Sequence, residues 1–276
     1  VMDHVYSGQY GNVIYAWDVV NEYLHANNSG WLNIFGGVNT NPDFVKTAFK
    51  YAYEELEKYG VQDKVKLFYN DYNTYEKKND IITLINNINA DKKVCAGIGM
   101  QSHLDTGYPT ASNFKSTLQA FINAGFEVQI TELDVTCSNL DTQAKYYYNL
   151  MSGIMDVKKT SDADENVGKI TALIFWGLAD DDSWRSAKNP LLYSDCATPK
   201  AAYEQVLKAY EDSGYVPPVT LGDINGDKVV DITDYTTLRR YINANRQGIE
   251  INEKNADINK DGAVDFFDLV ALKSLI

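Results

Sequence analysis

Five short runs of almost unbroken apolar character punctuate the first 212 residues of the chain, and the stretches between them carry helical periodicity. The runs are residues 13–20 (VIYAWDVV), 65–69 (VKLFY), 94–100 (VCAGIGM), 128–135 (VQITELDV) and 170–176 (ITALIFW). A strand that is apolar at nearly every position is one covered on both faces, as in parallel sheets. Asp43–Tyr59 places Phe44, Ala48, Ala52 and Leu56 at four-residue spacing and stops at Gly60. Ile81, Leu84, Ile85 and Ile88 form a second stripe, and Phe114, Leu118, Phe121 and Ile122 a third that ends at Gly125. Residues 142–158 and 199–210 fit two further helices, the latter opened by its proline. Alternating strand and helix predicts a parallel sheet with helices outside it. Five units of about 42 residues fall roughly three units short of an eight-stranded barrel, which needs about 250 residues. Residues 1–11 read as the tail of a helix entering the first strand. The expected fold is α/β, a partial TIM (β/α)8 barrel lacking about its first three strands.

The composition changes near residue 213. Residues 213–220 (SGYVPPVT) have the glycine and paired prolines of a short, stiff linker. Beyond them a twelve-residue pattern that starts at Asp223 recurs thirty-four residues later from Asp257. Oxygen side chains stand at positions 1, 3, 5, 9 and 12 of each copy, the arrangement a hard cation with six to eight ligands requires. The first copy offers Asp223, Asn225, Asp227, Asp231 and Asp234, with the Val229 carbonyl at position 7. The second offers Asp257, Asn259, Asp261, Asp265 and Asp268, with the Ala263 carbonyl. Position 12 is Asp where an EF-hand has Glu, and Lys228 replaces the position-6 glycine that Gly262 keeps. Val230 and Val264 at position 8 are expected to pair the loops across a small core. The expectation is a small all-α module with two EF-hand-like repeats and two Ca2+ sites.

Charge narrows the partners. Lys and Arg total 25 against 38 Asp and Glu, a net −13, which repels nucleic-acid phosphates and anionic lipid surfaces. No apolar run approaches the roughly 20 residues that span a bilayer, and no signal-peptide pattern opens the sequence. Cys95, Cys137 and Cys196 lie far apart without a CxxC spacing, so they read as buried free thiols rather than a disulfide or zinc framework.

Two carboxylates stand where chemistry is done in a parallel barrel, at the carboxyl ends of strands. Glu22 ends the first run in Trp17-Asp-Val-Val-Asn-Glu22, and Glu132 ends the fourth in Ile130-Thr-Glu-Leu-Asp134. Facing carboxyls are the minimum equipment for cleaving a glycosidic bond. Glu132 and Asp134 are two apart and share a strand face, and Gln101 and His103 repeat that spacing. His103 is therefore expected to bridge Glu132 and Asp134.

WDVVNE, GIGMQSH, ITELD and the later Trp176-Gly177 and Ser183-Trp184, in this order, resemble glycoside hydrolase family ten, the retaining endo-β-1,4-xylanases. The resemblance implies Glu22 as general acid/base, Glu132 as nucleophile, His103 and Asp134 as its companions, and no cofactor for catalysis. It implies substrate contacts at Asn21, towards a sugar 2-hydroxyl, at Gln101, and at Trp176 and Trp184 on the floor and wall of a cleft. Tyr72, in Asn70-Asp-Tyr-Asn73, is a further candidate. The family's sugar-gripping residues on the first three strands have no counterpart in this sequence, so little xylan turnover is expected of the chain alone. A β-1,4-glucanase or cellobiosidase of the same fold, and a non-catalytic carbohydrate-binding protein, stand as alternatives.

Residues 221–276 resemble a dockerin, the module that plugs enzymes into cohesin domains of a cellulosome scaffold, with one helix after each loop and none before it. That resemblance implies an extracellular, cellulosome-associated protein. It places cohesin contacts at loop positions 10 and 11, Ile232-Thr233 and Phe266-Phe267, with Arg239 and Arg240 on the following helix. Packing in the local core is the competing use for the two phenylalanines. The domains read as 1–212 catalytic, 213–220 linker and 221–276 dockerin.

Overall fold

A computed structural model describes residues 1–8, 11–26, 30–216, 220–244 and 246–276. Its contacts divide the chain into Val1–Tyr215 and Val216–Ile276. Pro217 and Pro218, the stiff part of the expected linker, lie outside the described residues. The start of that linker belongs to the first unit: Ser213 caps the preceding helix, and the Tyr215 hydroxyl donates to Asp162.

The first unit runs α1 (Met2–Tyr6), β1 (Ala16–Asn21), α2 (Gly30–Phe35), α3 (Asp43–Tyr59), β2 (Lys66–Asp71) and α4 (Lys78–Ile88). It continues with β3 (Gly97–Met100), β4 (His103–Asp105), α5 (Ala111–Asn123), β5 (Glu127–Thr136), α6 (Leu140–Asp162) and β6 (Ile170–Phe175). A small antiparallel pair, β7 (Tyr193–Asp195) and β8 (Thr198–Pro199), precedes α7 (Ala201–Asp212). The main sheet is parallel in the order β1-β2-β3-β5, with β6 on the far side of β5. β3 and β4 are two halves of one interrupted strand. Gly97–Met100 pairs with the start of β5 and His103–Asp105 with its end. Ser102, at φ +65°, makes the break between them.

The sheet is an arc that does not close: among the described residues, no strand pairs with the outer side of β1 or of β6. Coverage on both faces therefore holds for β3 and nearly all of β2 and β5, whereas β1 and β6 each leave residues open to solvent. Ile174 on β6 and Tyr15 just before β1 are exposed. The same cause explains both: a terminal strand has a neighbour on one side only.

Three helix expectations shift for identifiable reasons. The buried stripe of α3 is Val45, Phe49, Ala52 and Leu56, with Phe44 only part-buried against the core. Strict four-residue spacing drifts about 40° per step around a helix of 3.6 residues per turn, so Phe44 and Ala48 rotate off the core face. Gly60 ends this helix in the left-handed region, as a C-terminal glycine should. α6 is longer than residues 142–158 because Asn139 caps it, accepting from the Thr142 N–H at 2.9 Å. α7 begins after Pro199 rather than on it. Lys200 is held extended to reach Asp180 Oδ2 at 2.8 Å and the Asn189 carbonyl at 2.9 Å, which postpones the helix. Cys95 and Cys137 are buried as free thiols, but Cys196 is exposed in the turn between β7 and β8.

The second unit holds α8 (Ile232–Asn243), α9 (Glu253–Ala256) and α10 (Phe266–Leu272). Its core is Ile224, Leu238, Tyr241, Ala256, Leu269 and Leu272, with Val230 and Val264 packed part-buried against it. The one-turn α9 does enter the second loop, contrary to the loop-then-helix expectation. It is fastened to the first loop, since Asn255 Nδ2 donates to the Asp223 carbonyl at 2.7 Å and the Gly222 N–H to the Asn255 carbonyl at 2.9 Å. No helix among the described residues is long and apolar enough to cross a membrane.

Asp180 and Lys200 form a buried ion pair, with side chains 8% and 6% exposed, and Asp180 also accepts from the Leu191 N–H at 2.7 Å. Asp180→Ala leaves an ammonium in the interior and is expected to cost about 3–5 kcal/mol. Breaking the exposed Lys115–Asp156 pair should cost less than about 1 kcal/mol. Urea unfolding followed by tryptophan fluorescence reads both, because all four tryptophans lie in the first unit.

Candidate active site

Parallel register brings the strand ends to one rim. Asn21 at the end of β1 pairs with Asn70 on β2, and Asn70 pairs with Gly99 on β3. Glu22, one residue past β1, stands at φ +60°, a left-handed conformation that costs an L-residue about 1–2 kcal/mol. It is held there by its N–H, which donates to the Asn70 carbonyl at 2.8 Å.

A polar network joins the two glutamates. Gln101 Nε2 donates to Glu22 Oε1 at 2.9 Å and to Asn21 Oδ1 at 3.0 Å. Asn70 Nδ2 donates to the same Asn21 oxygen at 3.0 Å and to Glu132 Oε1 at 2.9 Å. The other Glu132 oxygen lies 3.2 Å from His103 Nε2, while His103 Nδ1 lies 3.0 Å from Asp134 Oδ2. Asp134 is fully buried and also receives Trp184 Nε1 at 2.9 Å and Arg185 Nη1 at 3.2 Å. One imidazole between two carboxylates, with an indole and a guanidinium behind, makes a fixed hydrogen-bonded row.

Glu22, Glu132, Gln101, Tyr72, Trp176 and Trp184 line one cleft of about 460 Å³. Asp134 is buried behind its wall, while Asn21 is exposed and reaches the cleft residues through its hydrogen bonds to Gln101 and Asn70. Trp176 and Trp184 are 47% and 62% exposed and meet the His103 ring edge-on at centroid distances of 6.4 and 5.0 Å. A second hollow of about 860 Å³ adjoins, sharing Asn73, His103, Trp184 and Arg185. Gln101 and His103 reach the same cleft, but across the Ser102 break rather than along one continuous strand.

Two residues of the network escape a sequence reading. Asn70 appears there only in the segment that contains Tyr72, and Arg185 does not appear at all. The available signal for Asn70 was its place at a strand end beside Asn21. A Cβ at Gly99 would collide with Asn70 Oδ1 and crowd the Thr131 methyl, so this glycine makes room for the amide.

In the second unit, one oxygen each of Asp223, Asp227 and Asp234 gathers within 4.8 Å. Among the described residues no such triple forms in the second loop, although its hydrogen bonds repeat those of the first. Asp234 Oδ1 accepts from the Ile224 and Asn225 N–H groups, and Asp268 Oδ1 from those of Ile258 and Asn259. Asp231 and Asp265 cap α8 and α10 in matching capping boxes. Ile232, Phe266 and Phe267 are 60%, 63% and 67% exposed, which removes core packing as the use of the phenylalanines. Thr233, Arg239 and Arg240 are exposed as well.

Residues 2–209 match the model of glycosyl hydrolase family 10, and residues 221–276 that of the dockerin type I domain. Over 213 residues the chain is 48% identical to an endo-1,4-beta-xylanase A of Butyrivibrio fibrisolvens, covering 77% of this chain and 50% of that protein. It is 40% identical over 210 residues to a bifunctional endo-1,4-beta-xylanase XylA of Ruminococcus flavefaciens, covering 72% of this chain and 20% of the relative. Among solved structures, the CBM22-1–GH10 modules of a Clostridium thermocellum endo-1,4-beta-D-xylanase complexed with xylohexaose superpose with TM-score 0.63 at 32% identity. That match covers 78% of this chain and 45% of the other. The chain thus spans half or less of the length of these relatives.

Both calcium-type loops take left-handed backbone at positions 4 and 6, and each has one glycine and one lysine there. The first has Gly226 and Lys228 (φ +80° and +71°), the second Lys260 and Gly262 (φ +58° and +87°). Lys228→Gly relieves that strain, and net of the backbone freedom it adds to the unfolded chain should stabilise the unit by about 0.5–1 kcal/mol. Hydrogen exchange at the Leu238 and Tyr241 amides measures it.

Proposed function

We propose that this chain, which belongs to glycosyl hydrolase family 10, carries the catalytic carboxyl pair of an endo-1,4-β-xylanase that cleaves internal β-1,4-xylosidic bonds of xylan with retention. The observation that carries the reading is the cleft shared by Glu22 and Glu132, tied to one another through Gln101, Asn21 and Asn70.

Glu132 attacks the anomeric carbon while Glu22 gives its proton to the leaving oxygen, so that an ester to Glu132 replaces the glycosidic bond. Water then enters on the departed sugar's side. Glu22 takes its proton, the water oxygen bonds to the anomeric carbon, and the Glu132 carboxylate is released. His103, braced by Asp134, holds the nucleophile's second oxygen in place. Trp176 and Trp184 offer aromatic faces to the C–H surfaces of the sugar rings. Asn21 and Gln101 are positioned for hydroxyl groups at the reacting sugar, and Tyr72 for the cleft rim.

The second unit matches a domain type that binds calcium. Its donors suit that ion: hard oxygens only, with carboxylates crowded closely enough to repel one another unless a cation lies among them. We assign one Ca2+ to each loop. Asp223, Asn225, Asp227, the Val229 carbonyl, Asp231 and Asp234 would hold the first, and Asp257, Asn259, Asp261, the Ala263 carbonyl, Asp265 and Asp268 the second. In this reading residues 221–276 dock a cohesin through Ile232, Thr233, Phe266, Phe267, Arg239 and Arg240. They thereby attach a 1–212 catalytic domain, through the 213–220 linker, to an extracellular cellulosome.

A 2-deoxy-2-fluoro-β-xylobiosyl fluoride should leave a covalent ester on Glu132, found by peptide mass mapping. Label elsewhere, or none, would overturn the reading. Glu22→Ala should slow hydrolysis of unactivated xylo-oligosaccharides by about 10²–10⁴-fold, and aryl xylobiosides with good leaving groups far less. With its sheet open, the 276-residue chain is expected to turn over polymeric xylan weakly. Excess chelator should abolish the helical signal of residues 221–276 and cohesin capture together, since so small a core depends on the ion. Full capture in chelator would refute the calcium assignment.

A further inference from the structure

We propose that His25 is a positioning residue for Tyr72 and, through it, for the sugar on the leaving-group side of the scissile bond; the inference rests on the xylanase reading above. Glu22 protonates the leaving oxygen, so the sugar beyond that oxygen lies on the Glu22 side of the cleft, where Tyr72 forms the wall. The Tyr72 ring is backed by the His25 ring, stacked at a centroid distance of 4.2 Å with planes 29° apart.

His25 lies on the 3-10 turn Tyr23–His25 that immediately follows Glu22. Its Nδ1 is 2.8 Å from Asp71 Oδ1, on a fully buried carboxylate at the end of β2. The same oxygen receives the Tyr72 N–H at 2.9 Å, and the other receives the Tyr69 hydroxyl. That hydroxyl in turn accepts from the Leu24 N–H at 2.9 Å. The turn that carries the acid is therefore bolted at two points to the strand end that carries the aromatic wall. Displacement of one displaces the other.

Neither packing nor hydrogen bonding alone accounts for a histidine here. Among the described residues its Nε2 is buried without a partner, a loss that a purely apolar ring would avoid. A phenylalanine would stack but leave Asp71 short of a partner. An asparagine would bond but not stack. Imidazole is the side chain that does both.

The trapped fluoro-xylobiosyl ester on Glu132 separates the two half-sites. Water frees the enzyme without touching Tyr72. Xylobiose frees it only by sitting on the leaving-group side: its hydroxyl oxygen bonds to the anomeric carbon, its proton passes to Glu22, and the ester bond to Glu132 breaks. The measured quantity is the ratio of xylobiose-driven to water-driven release in the full 276-residue chain. His25→Asn should lower that ratio about three- to tenfold, the worth of one aromatic stack. His25→Phe, which keeps the stack, should hold it to within about twofold of the parent, whatever its melting temperature. In a Tyr72→Ala background, His25→Asn should have no additional effect, because the two act as one unit. A purely structural role would slow both releases together and leave the ratio in place, and that result overturns the proposal. So does additivity of the two substitutions. Failure of any ester to form on Glu132 would instead overturn the xylanase reading and this inference with it.

Discussion

One buried amide holds the two carboxylate-bearing strands in mutual register. Asn70 is 2% exposed, and both ends of its amide are engaged: Nδ2 donates to Asn21 and Glu132, and Oδ1 accepts from Thr131 at 2.8 Å. Turned end for end, the amide would set its oxygen against a carboxylate and a second amide oxygen, so the surroundings admit one orientation. In a low-dielectric interior such a fully satisfied group is stiff, and a half-satisfied one is costly. Everything else at the rim is referred to it. It fixes one oxygen of Glu132 while His103 meets the other, and the main-chain carbonyl of the same residue takes the N–H that holds Glu22 in its strained turn.

The alternation of apolar runs with helical stretches was enough to read a parallel α/β sheet, and strand ends were enough to find Glu22 and Glu132. The details that the sequence withheld are those set by distant partners. Asn70 looks like any polar residue at the end of a strand until Gly99, on the next strand, is seen to leave it room. Strand periodicity groups Gln101 with His103, yet the chain reaches that grouping through a left-handed Ser102, which no pattern of apolar residues announces. Pro199 is well suited to open a helix. Lys200 overrides it, because an ammonium that must meet a buried carboxylate dictates the backbone around it.

The second unit reverses the proportions. Its repeat is visible at a glance, and the liganding pattern follows from oxygen chemistry. What the repeat conceals is asymmetry. The loops share a backbone path but exchange glycine and lysine between its two left-handed positions, so each copy carries the same kind of strain in a different place. Their outward residues differ more. Ile232 and Thr233 present a mixed surface where Phe266 and Phe267 present two exposed aromatic rings, so the two faces of this pseudo-symmetric module offer unlike chemistry to a partner.

The open arc bears unequally on the two glutamates. β5 lies inside the sheet, with β3 and β4 on one side and β6 on the other, so Glu132 is borne by backbone hydrogen bonds on both flanks. β1 is an edge among the described residues, and Glu22 extends past its end with support from β2 alone. An edge strand lacks half the ladder that restrains a central one. Glu22 therefore owes its place less to the sheet than to side chains: Gln101 on its carboxylate, and the Tyr69–Asp71–His25 cluster beneath the turn that follows it. In the proposed mechanism Glu22 is the proton donor and the less restrained of the pair, so disturbance of the sheet edge should be felt first in protonation of the leaving group and only later in attack by Glu132.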